Sequence, residues 1–200
     1  MLPEICTDRF LLRRPVLADA SSICEAVLES REQLAPWMHW CHPDYCLKDS
    51  QARIEIVDQA WERGSEYSYM IFDPADDRLV LGSTGLPQVY ADQRRAELGY
   101  WIRTSHTGRG LATATARETA RHAFEMLDLQ RVEILVAVGN EASYRVAEKT
   151  GAAYEGRLRR RISHGDQIRD AHCFSLVRED VLYKRLSGIP AFRQEQGGLR

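Results

Sequence analysis

Apolar residues along this chain change their spacing several times, and each change marks a boundary between a strand and a helix. Arg9-Phe10-Leu11-Leu12-Arg13 reads as a first strand, broken by Pro15. Asp19 is placed to cap a helix running to about Ser30, with Ile23, Ala26 and Val27 on its buried face. Ile54, Val57 and Trp61 predict a second helix from near Ser50 to Arg63, stopped by Gly64. Between the two lies an aromatic loop, Pro36-Trp37-Met38-His39-Trp40. Tyr67 to Phe72, Leu79 to Thr84 and Ala96 to Arg103 then read as strands of an antiparallel meander, with turns at Asp73 to Asp77 and around Tyr90 to Gln93.

The second half alternates differently. Ala112, Ala116, Ala120, Ala123, Phe124 and Leu127 recur at helical spacing, and Val132, Ile134, Val136 and Val138 alternate like a strand. A helix of that length between two strands permits a right-handed crossover and a local parallel pair. Asn140 is placed to cap a helix ending at Thr150, with Gly151 just past its end. A hairpin with arms Tyr154 to Ile162 and Ile168 to Leu176 follows, then a short helix from Arg178 to Leu186. The expected fold is α/β of the α+β type, a single domain over residues 1–186 with a mobile tail at 187–200. Its sheet is mixed, mostly antiparallel and twisted, with about seven strands flanked by helices.

Composition sets bounds rather than a function. The 200 residues, 44% hydrophobic and 28% charged, suit one domain with a substantial core. A net charge of −2 and a pI near 6.3 remove the usual electrostatic case for nucleic acid. No apolar run approaches the roughly 20 residues of a membrane span, and the N-terminus lacks a basic segment followed by an apolar one, so a cytoplasmic location is expected. The five cysteines are odd in number and scattered, which fits reduced thiols, with Cys24 and Cys173 in the core. His39, Cys41, His42 and Cys46 lack the spacing of a zinc site, and no metal is expected. Arg157, Arg159, Arg160 and Arg161 read as a solvated strand, one that can equally attract an acidic protein.

Candidate chemistry centres on Thr107-Gly108-Arg109-Gly110-Leu111-Ala112, between a strand and a helix. Glycines there let backbone N–H groups approach an anion while the helix aims its free donors at the same point. The competing explanation is a turn that wants glycine for backbone reasons alone. A triphosphatase loop, Gly-x-x-x-x-Gly-Lys-[Ser/Thr], is absent, and nothing completes a dinucleotide fingerprint.

Four segments taken together resemble the GNAT acetyltransferases, most closely the RimJ/RimL type: Arg94 to Ile102, the glycine loop through Ala112, Asn140 to Gly151, and Glu155-Gly156-Arg157-Leu158 with Arg169-Asp170. The order of elements agrees over nearly the whole chain. Ser105, where many relatives carry Arg or Gln, and Ala152, where an aromatic is common, depart from the pattern. The resemblance implies acetyl-CoA as acyl donor, with its pyrophosphate on the backbone N–H groups of Gly108, Gly110, Leu111 and Ala112, beside Thr107. Arg103 or Arg109 would supply charge. It also implies two splayed strands, with the pantetheine arm along Trp101 and Ile102 and against Asn140, and direct acetyl transfer to a primary amine.

Attack on a thioester needs an uncharged amine, a stabilised oxyanion and a partner for the departing thiolate. Glu97 is a candidate base, or else a strand carboxylate facing solvent or pairing with Arg95. Ser143 occupies the family position near the sulfur, with backbone capping as its alternative role, and Tyr144 ranks behind it. Trp37, His39, Trp40 and Tyr69 are candidates for the acceptor wall, against a reading as core packing. The acceptor implied is a protein N-terminus of ribosomal-protein type; a small-molecule or aminoglycoside-type amine is the alternative. A non-catalytic acyl-CoA-binding module is the reading from another class. Relatives are commonly homodimers, although no exposed apolar stripe marks a dimer face here.

Overall fold

Alternation along the central strands gives each face of one sheet its own row of side chains, and amphipathic helices cover those rows. A computed structural model describes residues 4–182. The strands are β1 Ile5–Cys6, β2 Leu11–Arg13, β3 Tyr67–Asp73, β4 Asp76–Tyr90, β5 Arg95–Ile102, β6 Arg131–Ala137, β7 Ala153–His164 and β8 Gln167–Val177. The α-helices are α1 Ala20–Glu29, α2 Arg31–Leu34, α3 Leu47–Glu62, α4 Leu111–Met126, α5 Glu141–Thr150 and α6 Arg178–Leu182. The sheet order is β1-β2-β3-β4-β5-β6-β8-β7, antiparallel except for the β5–β6 pair across the α4 crossover.

Small side chains let α4 lie close to the sheet. Ala116, Ala120, Ala123 and Phe124 are buried against Leu98, Val132, Ile134 and Phe174. Met70 and Phe72, at alternate positions of β3, pack instead with Ile23, Ala26 and Val27 of α1. Among the described residues no helix is long and apolar enough to cross a membrane.

Several boundaries differ from the sequence reading. Among the described residues the sheet has eight strands because Ile5–Cys6 pairs with Leu11–Leu12, a contact too short to leave a periodic signature. The expected strand Leu79 to Thr84 is part of a longer β4, Asp76–Tyr90, which continues through Gly85 and Pro87 with a register shift between Gly85 and Gln88 that absorbs them. Asp19 does not cap α1 through its side chain. Its carboxylate accepts the Val16 N–H at 2.8 Å and pairs with both Arg13 Nη atoms at 2.7 and 2.8 Å. Helix α3 starts at Leu47, ahead of the expected Ser50, because Asp49 accepts the Cys46 N–H at 2.8 Å. The tail at 187–200 lies outside the described residues.

At Gly82 the backbones of β4 and β5 approach closely. The glycine's φ is +150°, and a Cβ there would lie 2.1 Å from the Trp101 carbonyl oxygen. Gly82→Ala is therefore expected to lower stability by about 2 kcal/mol or more. Urea unfolding checks this, and an unchanged midpoint would contradict the close approach.

Candidate active site

The parallel pairing of β5 with β6 covers only Arg95–Glu97 against Arg131–Glu133. Beyond that point β6 stays paired with β8 as far as Ala137↔Ala171, while β5 continues to Ile102 with only β4 beside it. The N-terminal end of α5 stands at this gap. Asn140 Oδ1 accepts the Ser143 N–H at 3.1 Å and caps the helix, which leaves the Ser143 hydroxyl free of that duty. Tyr100, on the open stretch of β5, has its phenol oxygen 3.1 Å from Ser143 Oγ and donates to the Ser143 carbonyl at 3.1 Å. Burial pushes the Tyr100 phenol up to about 12, so it keeps its proton at neutral pH.

At the far end of the gap, Gly108 and Gly110 both take φ of +74°, and Gly110 starts α4 with no side-chain cap. The ladder of α4 begins with Ala114 N–H to the Gly110 carbonyl at 3.1 Å, so the N–H groups of Leu111, Ala112 and Thr113 precede it. Helix α1 and the residues after it hold this loop. Ser30 Oγ accepts the Thr104 N–H at 3.0 Å, and Glu29 accepts the Ser105 N–H at 3.0 Å. Arg9 donates to the Arg109 carbonyl at 2.7 Å from the other side.

Two cavities meet here. One, of about 350 Å³, is lined by Trp101, Ile102, Thr107, Gly108, Gly110, Leu111, Ala112, Asn140 and Ser143. The other, of about 430 Å³, lies among α1, α3 and β3 to β5, and is lined by Trp40, Ile54 and Met70 among others. Met38, Tyr100 and Trp101 line both, so the cavities adjoin along this stretch of β5, and Ser143 faces the smaller one.

The sequence family described as Acetyltransferase (GNAT) domain matches residues 9–153. The chain belongs to the GNAT acetyltransferase family. It is similar to the Bacillus subtilis (strain 168) protein named "Putative ribosomal N-acetyltransferase YdaF", 29% identical over 81% of this chain and 87% of that protein. The ribosomal-protein-serine acetyltransferase of Escherichia coli (strain K12) is 23% identical over 76% of this chain and 84% of its own length. A solved structure of Mycobacterium smegmatis RimJ in complex with CoA-disulfide has the same fold, with a TM-score of 0.79 at 22% identity over 90% of each chain. The protein is thus an acyltransferase, a GNAT N-acetyltransferase.

Not every residue expected at the GNAT site reaches it. Arg103 turns away from the cleft and pairs with Glu25 at 2.6 Å and with Glu29, tying β5 to α1. Arg109 donates to the Ser105 carbonyl at 3.1 Å and lines neither cavity. The basic groups that do line the smaller cavity are Arg145 and Lys149, one turn apart on α5, with His106. Burial, with Arg109 and Arg103 nearby, pushes the His106 imidazole below its ordinary value. None of the three was singled out from sequence, although 142, 145, 146 and 149 share one helical face with that cleft.

The acceptor candidates divide as well. Trp40 lines the larger cavity, whereas Trp37 lines the smaller one. His39 is exposed and lines neither. Tyr69 is only 2% exposed, with its ring edge-on to Trp61 and its hydroxyl 3.4 Å from His122 Nδ1, so it belongs to the core. Glu97 also lines neither cavity, and its carboxylate accepts from Arg161 at 2.6 Å. Tyr144 packs edge-on to Phe174 and His172 and lines neither cavity.

The clamp on the loop carries a pH signature. Hydrogen bonding from Ser105, with Arg103 beside it, holds the Glu29 carboxyl at about 2, below its ordinary 4.5. A carboxyl lowered on folding stabilises the protein above its unfolded value, and that contribution fades as pH falls from about 4.5 towards 2. Glu29→Gln is expected to flatten the pH dependence of urea stability across this window. Equal slopes for variant and parent would contradict the clamp.

Proposed function

We propose that this N-acetyltransferase uses acetyl-CoA to acetylate the α-amino group of a peptide or protein N-terminus. The observation that carries the reading is the meeting of two cavities at Tyr100, Trp101 and Met38, beside Ser143. One suits a donor with a phosphorylated end and an extended arm, and the other an acceptor approaching from the opposite side.

On the donor side, the pyrophosphate takes the N–H groups of Gly108, Gly110, Leu111 and Ala112, next to Thr107, with the dipole of α4 behind them. Arg145 and Lys149 provide the charge first expected of Arg103 and Arg109. The arm adds to the open edge of β5 at Trp101 and Ile102 and reaches Asn140, which brings the thioester to Tyr100 and Ser143. The amine then attacks the carbonyl carbon, the C–S bond breaks, and the sulfur departs as thiolate. A serine hydroxyl is a far weaker acid than a thiol, so Ser143 stabilises the thiolate by hydrogen bonding, and the net proton comes from the amine. For that role Tyr100 turns its proton to Ser143 Oγ, which leaves the serine's own proton for the sulfur. The Arg161 contact favours the structural reading of Glu97 over the base, and the ammonium proton leaves through water.

On the acceptor side, Trp40 remains from the expected wall, and Trp101 joins it. The larger cavity is lined by one carboxylate, Asp49, and also by the guanidinium-bearing Arg53. An aminoglycoside-type polycation would want more acidic groups, so a singly charged N-terminus fits better. Relatives named as ribosomal-protein acetyltransferases support a protein acceptor.

Release of coenzyme A thiol, measured with peptides, polyamines and aminoglycosides offered separately, tests this. Peptide-dependent release is expected, and release with polyamines or aminoglycosides alone would overturn the acceptor class. Ser143→Ala should lower kcat by about tenfold to a hundredfold while the KM for acetyl-CoA stays within about twofold. Equal losses in both would refute the thiolate role.

A further inference from the structure

The inner wall of the larger cavity is apolar: Val27, Ile54 and Met70 are buried there, with Trp40 and Trp101 beside them. Hydroxyls in the same wall already have protein partners. Ser50 Oγ is 2.9 Å from the Tyr45 hydroxyl, Ser83 Oγ donates to the Tyr69 carbonyl at 2.8 Å, and Ser68 bonds Glu66. Charge gathers instead at Asp49, Arg53 and His42, where His42 Nε2 lies 3.4 Å from Asp49 Oδ1, the Arg53 guanidinium pairs with Glu66, and Ala52 and Ile56 are exposed alongside. A group reaching inward from Tyr100 and Trp101 therefore meets apolar surface with few polar atoms left to satisfy.

We infer that the enzyme selects acceptors whose amine sits next to a bulky apolar side chain, of leucine to phenylalanine size, and that this cavity receives that side chain. The inference rests on the proposed reading of the larger cavity as the acceptor side. A methyl or hydroxymethyl group would leave most of the 430 Å³ unfilled, whereas an aromatic or branched side chain removes its own apolar surface and that of the wall from water. Discrimination then comes from size and hydrophobicity, with no polar contact required, which sets its scale at about tenfold to a hundredfold.

The test is kcat/KM for matched peptides X-Gly-Gly-amide, with X as phenylalanine, leucine, alanine or serine. The phenylalanine and leucine peptides are expected to exceed alanine by about tenfold or more. Met70→Trp, which fills part of the cavity, should cost the phenylalanine peptide more than the alanine peptide. Should that variant fail to fold, quenching of the parent's tryptophan fluorescence by N-acetylphenylalaninamide and N-acetylalaninamide decides without turnover, because Trp40 and Trp101 line the cavity. Tighter binding of the phenylalanine compound is expected. Equal or better turnover of alanine and serine peptides would overturn the inference and leave N-terminal acetylation standing. Transfer to no peptide would overturn the acceptor class instead, and the fluorescence titration would then decide the apolar cavity: equal affinities sink it, and a preference for phenylalanine upholds it.

Discussion

The parting of β5 from β6 is the constraint on which the rest depends. Main-chain donors and acceptors left in a cleft must find partners, and a strand that loses its neighbour offers a row of them. Here the loss begins after Glu97 and Glu133, and it is local, since β4 still pairs with Gly99 to Ile102 and β8 still pairs with Ile134 to Ala137. The sheet stays continuous at its base and opens only above. That opening admits the N-terminal end of α5, brings Ser143 to Tyr100, and leaves an edge on which an extended ligand can add as a strand.

Holding such a gap open requires fixing both its ends. At the loop end, backbone groups of Thr104 and Ser105 are held by Ser30 and Glu29, while Arg103 is committed to Glu25 and Glu29. Charge nearest the gap is thereby used for construction, and the cations facing the cleft come from a different element, α5. The division is physically sensible. A guanidinium already paired with two carboxylates has little attraction left for an incoming phosphate, whereas the exposed Arg145 and Lys149 retain theirs.

Legibility in the sequence followed the range of the interaction responsible. The glycine turn into α4, the Asn140 cap, Gly151 at the end of α5 and the β5–α4–β6 crossover are local signals, and each has in the structure the backbone form read for it. Chain spacing could not reveal partners brought from far away. Glu97 meets Arg161, Arg103 meets Glu25 and Glu29, and Tyr69 turns under α4 to His122, none of which a strand pattern specifies. The expected end of β4 at Thr84 fell short for a related reason, because a register shift between Gly85 and Gln88 lets the strand continue to Tyr90. Tyr100 was present in a recognised motif, but its importance lies in a contact 43 residues away in sequence.

The central claim is that donor and acceptor meet where the strands part, at Tyr100 and Ser143. A crystal structure with coenzyme A bound tests it most directly. The account predicts the pyrophosphate against Gly108 to Ala112, the arm along Trp101 and Ile102, and the sulfur within hydrogen-bonding reach of Ser143 Oγ. A pyrophosphate bound elsewhere, or a sulfur pointing away from the Tyr100–Ser143 contact, would contradict it.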